Sequence, residues 1–487
     1  MSAKTYRAKC SLKSLIFVLA ASSGFGQEPP LSDPLGVNPQ VLRNGSRLPG
    51  DDAIPPCPAR VIPGQTLDLA LAADVALCNS PKVRSTWEAI KVQTGVLGEA
   101  KAAYLPSVSG SYTLQRERNM FPDVPQENAS LTGHSAFAGA TWRLFDFGER
   151  AANRDYAQLL LSAAIASHDA QLQEILDGLV GAYFDAMTAL AGLGASQKSR
   201  SLASATLEAT GRREERGAAS HSDTLQAQVA LAKSVLAEKR AVGSYGKAMS
   251  ILAYSMGLSA DVTFNLPELD RPSAEAVGEL TAWLSAAENQ NPSLTAAREQ
   301  WEAMNRKIVA TRSEGRATVD FSADWFENGY PSQGIQTTSS RQTTYGLTVT
   351  VPLFEGFART YKVEEATAQA KGAQAQYEDT RYQILMNVVK AHADAVSALG
   401  NLDASEALLS ASGAAAESSG RRYASGAANI LELLSAQSNL AEAEQQRVQC
   451  LSEWYAARLR LWTSAGALGL SRLQRSLSTL VGPDANR

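Results

Sequence analysis

The segment Trp142-Arg-Leu-Phe-Asp-Phe-Gly-Glu-Arg150 returns in altered form as Val351-Pro-Leu-Phe-Glu-Gly-Phe-Ala-Arg359. Phe354 follows Phe145 by 209 residues. Downstream, Gly217-Ala-Ala-Ser-His-Ser-Asp-Thr-Leu-Gln-Ala-Gln228 faces Gly426-Ala-Ala-Asn-Ile-Leu-Glu-Leu-Leu-Ser-Ala-Gln437 at the same spacing of 209. Upstream, Asn79-Ser-Pro81 matches Asn291-Pro292, and Val108 matches Val319, both at 211. A nearly constant offset over three separate segments identifies one structural unit written twice. The copies run over 66–258 and 273–470, and the Pro- and Asp-rich stretch 259–272 reads as the linker between them.

Each copy has the same internal order. A helix comes first, from Leu67 to about Ala103 and from Ala274 to about Thr311. Two strand-like stretches follow, separated by polar loops at Gln115 to His134 and Phe326 to Thr343. A long Ala-, Gln-, Glu- and Leu-rich helical pattern comes last, interrupted once. Glu149 to about Glu208 contains no proline, so at 1.5 Å per residue it predicts a rod of roughly 90 Å. The partner arm runs from Asp223 to about Leu258, and the second copy repeats the pattern from Ala358 through Gly420 to Leu470. Helices this long predict coiled-coil hairpins or a tube of helices.

The strand-like stretches alternate with a period of two. Val108, Gly110, Tyr112 and Leu114 share one face, and Ser107, Ser109, Ser111 and Thr113 the other. Ala136, Ala138, Ala140 and Trp142 share a face, as do Val319, Phe321, Ala323 and Trp325, and Tyr345, Leu347, Val349 and Val351. A small sheet packed on helices is one reading, and a lipid-facing barrel wall with a polar lumen is the other. Export, strand length and the polar loops favour the barrel. Four strands cannot close a barrel, and open edges are not tolerated in lipid, so this reading requires oligomerisation. Three copies would supply twelve strands in a ring of identical chains.

The leader points the same way. Lys4, Arg7, Lys9 and Lys13 precede the apolar run Leu15 to Ala21, and Gly24 and Gly26 stand before Gln27. Residues 1–26 therefore read as a secretory signal peptide, followed by a Pro-rich extension over 27–65; residues 471–487 read as a C-terminal tail. In an oxidising compartment Cys57 and Cys78 are either bonded or two free thiols, and Cys450 reads as a buried small hydrophobe. Mean hydropathy of −0.17 argues against a polytopic helical membrane protein. With 45 Lys and Arg against 49 Asp and Glu, no basic excess exists to bind nucleic acid.

The doubled order of Ala76-Leu-Cys-Asn-Ser-Pro81 and Asn291-Pro292, Tyr104-Leu-Pro106, Leu144-Phe-Asp-Phe-Gly148 and Pro352-Leu-Phe-Glu-Gly356, and the turns from Arg213 to Asp223 and Arg422 to Glu432, resembles the TolC-like family of outer-membrane export channels. The resemblance covers about Thr66 to Leu470. It implies a mostly α fold with a small β part. In it, a homotrimer forms a 12-stranded β-barrel in the outer membrane, continued by a periplasmic α-helical barrel. It also implies a passive duct that works with a periplasmic adaptor and an inner-membrane pump, either an ABC transporter or proton-driven. The alternative is an exported helical scaffold without a pore. The Cys57 and Cys78 pair and the wording from Cys78 to Trp87 resemble channels of type I toxin secretion, the adenylate cyclase–haemolysin exporter among them. The second copy departs from the pattern, with Gly315-Arg-Ala-Thr318 where the first has Tyr104-Leu-Pro106.

The resemblance makes the two turns, at Gly217 and Gly426, the periplasmic entrance. Asp223 and Glu432 each stand six residues after the turn glycine. They can cap their helices, ring the opening as a cation-attracting field, or do both. Arg212, Arg213, Arg216, Arg421, Arg422 and Tyr423 surround the turns. A solvated charged turn is the simpler reading of them, and a latch the other. Ala428 stands where the family's second turn can carry a basic residue. Trp142, Phe145, Phe147, Phe354 and Phe357 mark the expected junction of barrel and tube.

No phosphate-binding loop, nucleophile elbow or Cys/His metal spacing appears, so no enzyme activity, cofactor or metal is expected. His134, His168, His221 and His392 read as solvated side chains.

Overall fold

The computed structural model describes residues 33–45, 57, 64–120, 122–123, 129–259, 262, 264–267, 277–328 and 340–469. The leader and C-terminal tail read from the sequence lie outside the described residues, as do most of the linker and of the Pro-rich extension.

Helices dominate. After the short α1 (Gln40–Asn44) come α2 (Leu69–Asn79), α3 (Pro81–Ala102), α4 (Glu149–Glu215) and α5 (His221–Ser255) in the first repeat. The second repeat holds α6 (Leu280–Gln290), α7 (Pro292–Ser313), α8 (Ala358–Ala424) and α9 (Ile430–Ser464). The repeat is kept to the residue where it matters: α4 and α8 each have 67 residues, and α5 and α9 each have 35. At 1.5 Å per residue the longer pair span about 100 Å.

The leading helix of each copy is two helices, not the single one read from the sequence. The Ser80 hydroxyl accepts from the Val83 amide at 3.5 Å, and the Asn291 side chain accepts from the Ser293 and Leu294 amides at 3.0 and 3.4 Å. Each cap is followed by proline at the first helical position, where the missing N–H costs nothing and the previous helix cannot continue.

Four strands form one antiparallel sheet in the order β1 (Ser107–Asn119), β2 (Ala129–Phe145), β3 (Thr318–Asn328) and β4 (Ser340–Thr350). The strands run further into the polar segments than alternation suggested, because pairing continues past the apolar band: Gln115 still faces Gly133 and Asn119 faces Ala129.

The helices form a layer. In its sheet-side half the neighbours are α3, α4, α7 and α8; in its far half they are α5, α4, α9 and α8. Helices α7 and α9 thus stand end to end between α4 and α8, joined where the Asn291 side-chain Nδ2 donates to Ser464 O at 3.0 Å. The main core gathers at this join, with Tyr183, Phe184, Leu176, Leu252, Trp454 and Leu69 fully buried. Each such side chain contributes about 1.5–3 kcal/mol through burial. Phe184 stacks on Tyr455 with ring centroids 5.7 Å apart, and the Tyr183 hydroxyl donates to Leu67 O at 2.9 Å. Cys450 is partly buried against this core.

A second cluster fastens the N-terminal segment: Val37, Val41 and Leu42 pack on Ile90 and Leu97 of α3 and Leu161 of α4. Cys57 and Cys78 are joined as a disulfide, with Cα atoms 5.6 Å apart, tying that segment to the end of α2.

His168 corrects the solvated reading. It is 0 % exposed, against Trp87, and its Nδ1 lies 2.8 Å from the Thr86 hydroxyl oxygen. That hydroxyl also lies 3.0 Å from Val83 O, and buried Nε2 of His168 has no partner among the described residues. Burial pushes the His168 pKa down. Its neighbour Asp169 is half-buried, and burial pushes its carboxyl up to about 6.

Candidate functional site

Register places every apolar alternation on one face of the sheet. Val108 faces Ala140, which faces Ala323, which faces Tyr345; Trp142 faces Phe321, which faces Leu347. The opposite face carries Ser107, Ser109, Thr141, Asp320, Ser322, Thr348 and Thr350, with Arg143 bonded to Asp320 at 2.9 Å. On the apolar face the Glu327–Arg341 pair, 3.1 Å apart, marks the end away from the helices. β1 and β4 are both unpaired on their outer edges among the described residues. Such a wall is apolar towards one solvent, polar towards another, and incomplete.

Sheet meets helix at a pair of tight joints. In β2 the register shifts between Arg143, opposite Asp320, and Phe145, opposite Val319. This bulge turns Phe145 onto the apolar face with Trp142, where it makes an edge contact with Phe147 at 4.7 Å. Phe147 and Phe357 are the non-glycine residues with positive φ, at 51° and 65°, and Gly148 and Gly356 stand beside them at 94° and 60°. Two successive left-handed residues reverse the chain from strand to helix in each repeat. A phenylalanine at positive φ is a strained choice, and each one stands against a neighbouring ring, Phe145 beside Phe147 and Phe354 beside Phe357.

Arg150 fastens the first joint. It donates through Nε to Asp146 Oδ2 at 2.7 Å, and through Nη1 to Arg143 O at 2.7 Å and Ala103 O at 3.2 Å. Its guanidinium lies 4.8 Å over the Tyr104 ring, and Trp142 Nε1 donates to Tyr104 O at 2.8 Å. Burial opposes ionisation of Asp146, but bonds from Arg150 and from the Arg150 and Gly148 amides outweigh it and hold the carboxyl below the usual aspartate range. Sequence reasoning missed this pair. Its signal was present, because Glu355 and Arg359 repeat the acid–Arg spacing in the second copy. There Arg359 fills the space beside Gly315, the residue that stands where the first repeat has Tyr104.

The far ends of the hairpins come together. Gly217 and Gly426 hold φ of 71° and 80° and close the turns. At the first turn Ser220 and Asp223 make a reciprocal capping box, both bonds at 3.2 Å. The Glu214 carboxylate bonds His221 Nδ1 at 2.9 Å, and the Thr224 hydroxyl and then His221 beside it hold Glu214 below its ordinary range. At the second turn Asn429 accepts from the Glu432 amide at 2.8 Å, but the Glu432 carboxylate pairs with Arg422 at 2.5 Å and does not complete a box.

Between the turns lies a contact that departs from the solvated reading. Tyr423 is 8 % exposed, in a cluster with Ile430 and Leu433. Arg213 donates to Tyr423 O at 2.5 Å and lies 4.8 Å over its ring. The Thr210 hydroxyl donates to Thr206 O, so the Tyr423 hydroxyl, 3.2 Å away, is the donor to Thr210. Gln437 donates to the Thr206 hydroxyl at 3.1 Å, and Lys198 pairs with Glu444. Helix α4 is thereby tied to α8 and α9. Arg212 and Arg421 pair within their own helices with Glu208 and Glu417, and Arg216 is exposed at the turn. Among the described residues no group of His, Cys, Asp and Glu is arranged to hold a metal.

The family model of outer membrane efflux proteins matches residues 72–258 and 283–467, one match per repeat. Protein CyaE of Bordetella pertussis is 32% identical over 422 residues, covering 86% of this chain and 88% of that protein. The alkaline protease secretion protein AprF of Pseudomonas aeruginosa is 22% identical over 418 residues, covering 84% and 86%. The solved outer membrane protein VceC of Vibrio cholerae shares the fold with a TM-score of 0.70 at 19% identity, covering 82% of this chain and 96% of that one. A half-apolar, unclosed sheet joined to paired helical hairpins, matched by the family in both repeats, places this chain in the outer membrane efflux protein family as an outer-membrane export channel.

Proposed function

We propose that three copies of this chain close a twelve-stranded barrel and a helical tube, and that the duct serves type I secretion of a polypeptide. The observation that carries this reading is the sheet: one face apolar, one polar, and both edges unpaired. Backbone edges left open in lipid cost several kcal/mol per unsatisfied group, so copies must supply each other's missing strand. The helical flanks support the same closure. Val92 of α3 and Val229, Leu236 and Tyr254 of α5 are exposed on one side, and Tyr382, Val396 and Leu408 of α8 on the other. Ring closure would set one flank against the other.

Relatedness to a protein named for secretion of alkaline protease favours a polypeptide cargo. Energy and cargo would come from an inner-membrane pump through a periplasmic adaptor, as the family works. The entrance would be the turns at Gly217 and Gly426. Its gate would be the Arg213 and Thr210 contacts to Tyr423, with Asp223 and Glu432 as the carboxylates at the opening. Cys57 and Cys78, bonded in the fold, suit an oxidising compartment reached through the leader at 1–26. The test is the native mass of the protein extracted from outer membranes, with bound detergent subtracted. Three copies are expected; a monomer would leave the sheet edges unclosed and sink the reading.

A further inference from the structure

We propose that Phe137 and Phe326 form an apolar contact station on the inner wall of the barrel, for side chains of an unfolded polypeptide in transit. This rests on the trimeric secretion duct proposed above, whose lumen the polar face of the sheet would line. Over Ser107–Gln115, Ser135–Arg143, Thr318–Asn328 and Ser340–Thr350, that face carries Ser, Thr, Gly, Asn, Gln, Asp or Arg at every position but two. The two exceptions are Phe137 and Phe326, and they stand directly opposite each other in the register of β2 and β3. Their outer neighbours are Ser111 on β1 and Gln342 on β4. The apolar island is therefore one pair wide in a polar wall.

The rings are accommodated, not merely present. Phe137 lies over Gly139, where an added Cβ would meet both Phe137 Cζ and Asp324 Oδ1 at 2.6 Å. Any side chain at 139 would displace the ring or the carboxylate. Phe326 remains 38% exposed. Aromatic surface turned towards water in a polar lumen is unfavourable unless something covers it. An extended polypeptide presents apolar side chains repeatedly as it advances, and each can cover a ring briefly. Three copies would set six rings at one level, giving contacts strong enough to engage a chain and weak enough to release it. Small ions gain nothing from such a surface.

The test uses the purified full-length channel in a planar bilayer. The probe is an unstructured Gly/Ser peptide carrying regularly spaced Phe, added on the side of the barrel so that it reaches the lumen without passing the helical entrance. The control peptide has Ser for each Phe. The Phe peptide is expected to reside about 2- to 10-fold longer per blockade than the control, the range expected for aromatic pairs. In the double variant Phe137→Ser, Phe326→Ser that difference disappears while salt conductance stays at the wild-type level. Equal residence of the two peptides in wild type, or a difference that survives in the double variant, overturns the proposal. If the double variant does not assemble, Phe326→Ser alone carries the test through the more exposed ring, with partial loss expected and no loss overturning it. A wild-type chain that forms no conducting trimer sinks the duct reading itself; a conducting trimer indifferent to Phe sinks only the station.

Discussion

At the joint of the first repeat, Arg150 and Asp146 are 12% and 8% exposed and gather the ends of α3, β2 and α4. At the related joint of the second repeat, Arg359 and Glu355 are 38% and 40% exposed; Arg359 pairs with Glu355 at 3.3 Å and lies beside Gly315, but bonds no backbone carbonyl of another element among the described residues. The tips reverse the asymmetry. In the first repeat Glu214 and His221 form a polar pair at an exposed turn; their counterparts 209 residues on, Tyr423 and Ile430, are buried. Equal helix lengths keep the two backbones in step, while side chains decide which end of each repeat is held. The first repeat has its buried contact at the sheet-to-helix joint and an exposed pair at its turn, the second the converse.

The largest expected effect breaks the first joint. Arg150→Ala removes the cation from the buried Asp146 carboxylate, leaving it two backbone amides, and should cost on the order of 3 kcal/mol, read as a lowered denaturation midpoint of the assembled channel. Arg359→Ala removes an exposed pair and should cost about 0–1 kcal/mol. Equal losses would show that the joints are equivalent and that burial is a poor guide here.

At the tips the related arginines should also differ. Arg213→Ala removes a charge-assisted bond and a ring contact across the two hairpins. It should weaken the contact between the hairpins by roughly 2–3 kcal/mol and, on the gate proposed above, raise single-channel conductance. Arg422→Ala breaks a bond within its own turn and should leave conductance near wild type. A conductance rise from Arg422→Ala alone would transfer the gate to the second turn.

The doubling, the strand faces and the turn glycines were legible because period and offset survive without coordinates. The Pro81 and Pro292 helix breaks are in plain view too, as Ser-Pro and Asn-Pro, but helix-forming composition on both sides masks them as caps. Strand ends were missed because Gln115 to Asn119 are polar on both faces, and alternation marks only the part of a strand that has an apolar side. Tyr423 and His168 were unreadable for another reason. Their partners, Arg213 and Thr86, lie 210 and 82 residues away in the chain, and only tertiary packing brings them together.

Titration sharpens the comparison between the long helices. Asp169 of α4 is half-buried with a pKa raised to about 6, whereas its counterpart Glu378 on α8 is exposed and accepts from Gln374 at 3.0 Å. A carboxyl whose folded pKa is raised binds protons more tightly when folded, so stability falls as pH rises from the unfolded value through about 6. Asp169→Asn removes that penalty. It should raise stability by on the order of 1–3 kcal/mol near pH 8 and have little effect near pH 4. A pH-independent gain in Asp169→Asn would mean that packing, not ionisation, is responsible.

The smallest effect concerns the entrance carboxylates, which look equivalent in the sequence. The structure separates them. Asp223 is bonded to the backbone amide of Ser220 and has no ion pair among the described residues, whereas Glu432 is paired with Arg422. If the opening attracts cations, Asp223→Asn should lower cation preference in a planar bilayer, by under about twofold given solvent screening, and Glu432→Gln should change it less. Asparagine still accepts the Ser220 amide, so the cap survives and the readout isolates charge. An unchanged reversal potential in Asp223→Asn would leave this carboxylate with capping as its whole role, and the field at the entrance would then have to come from other groups.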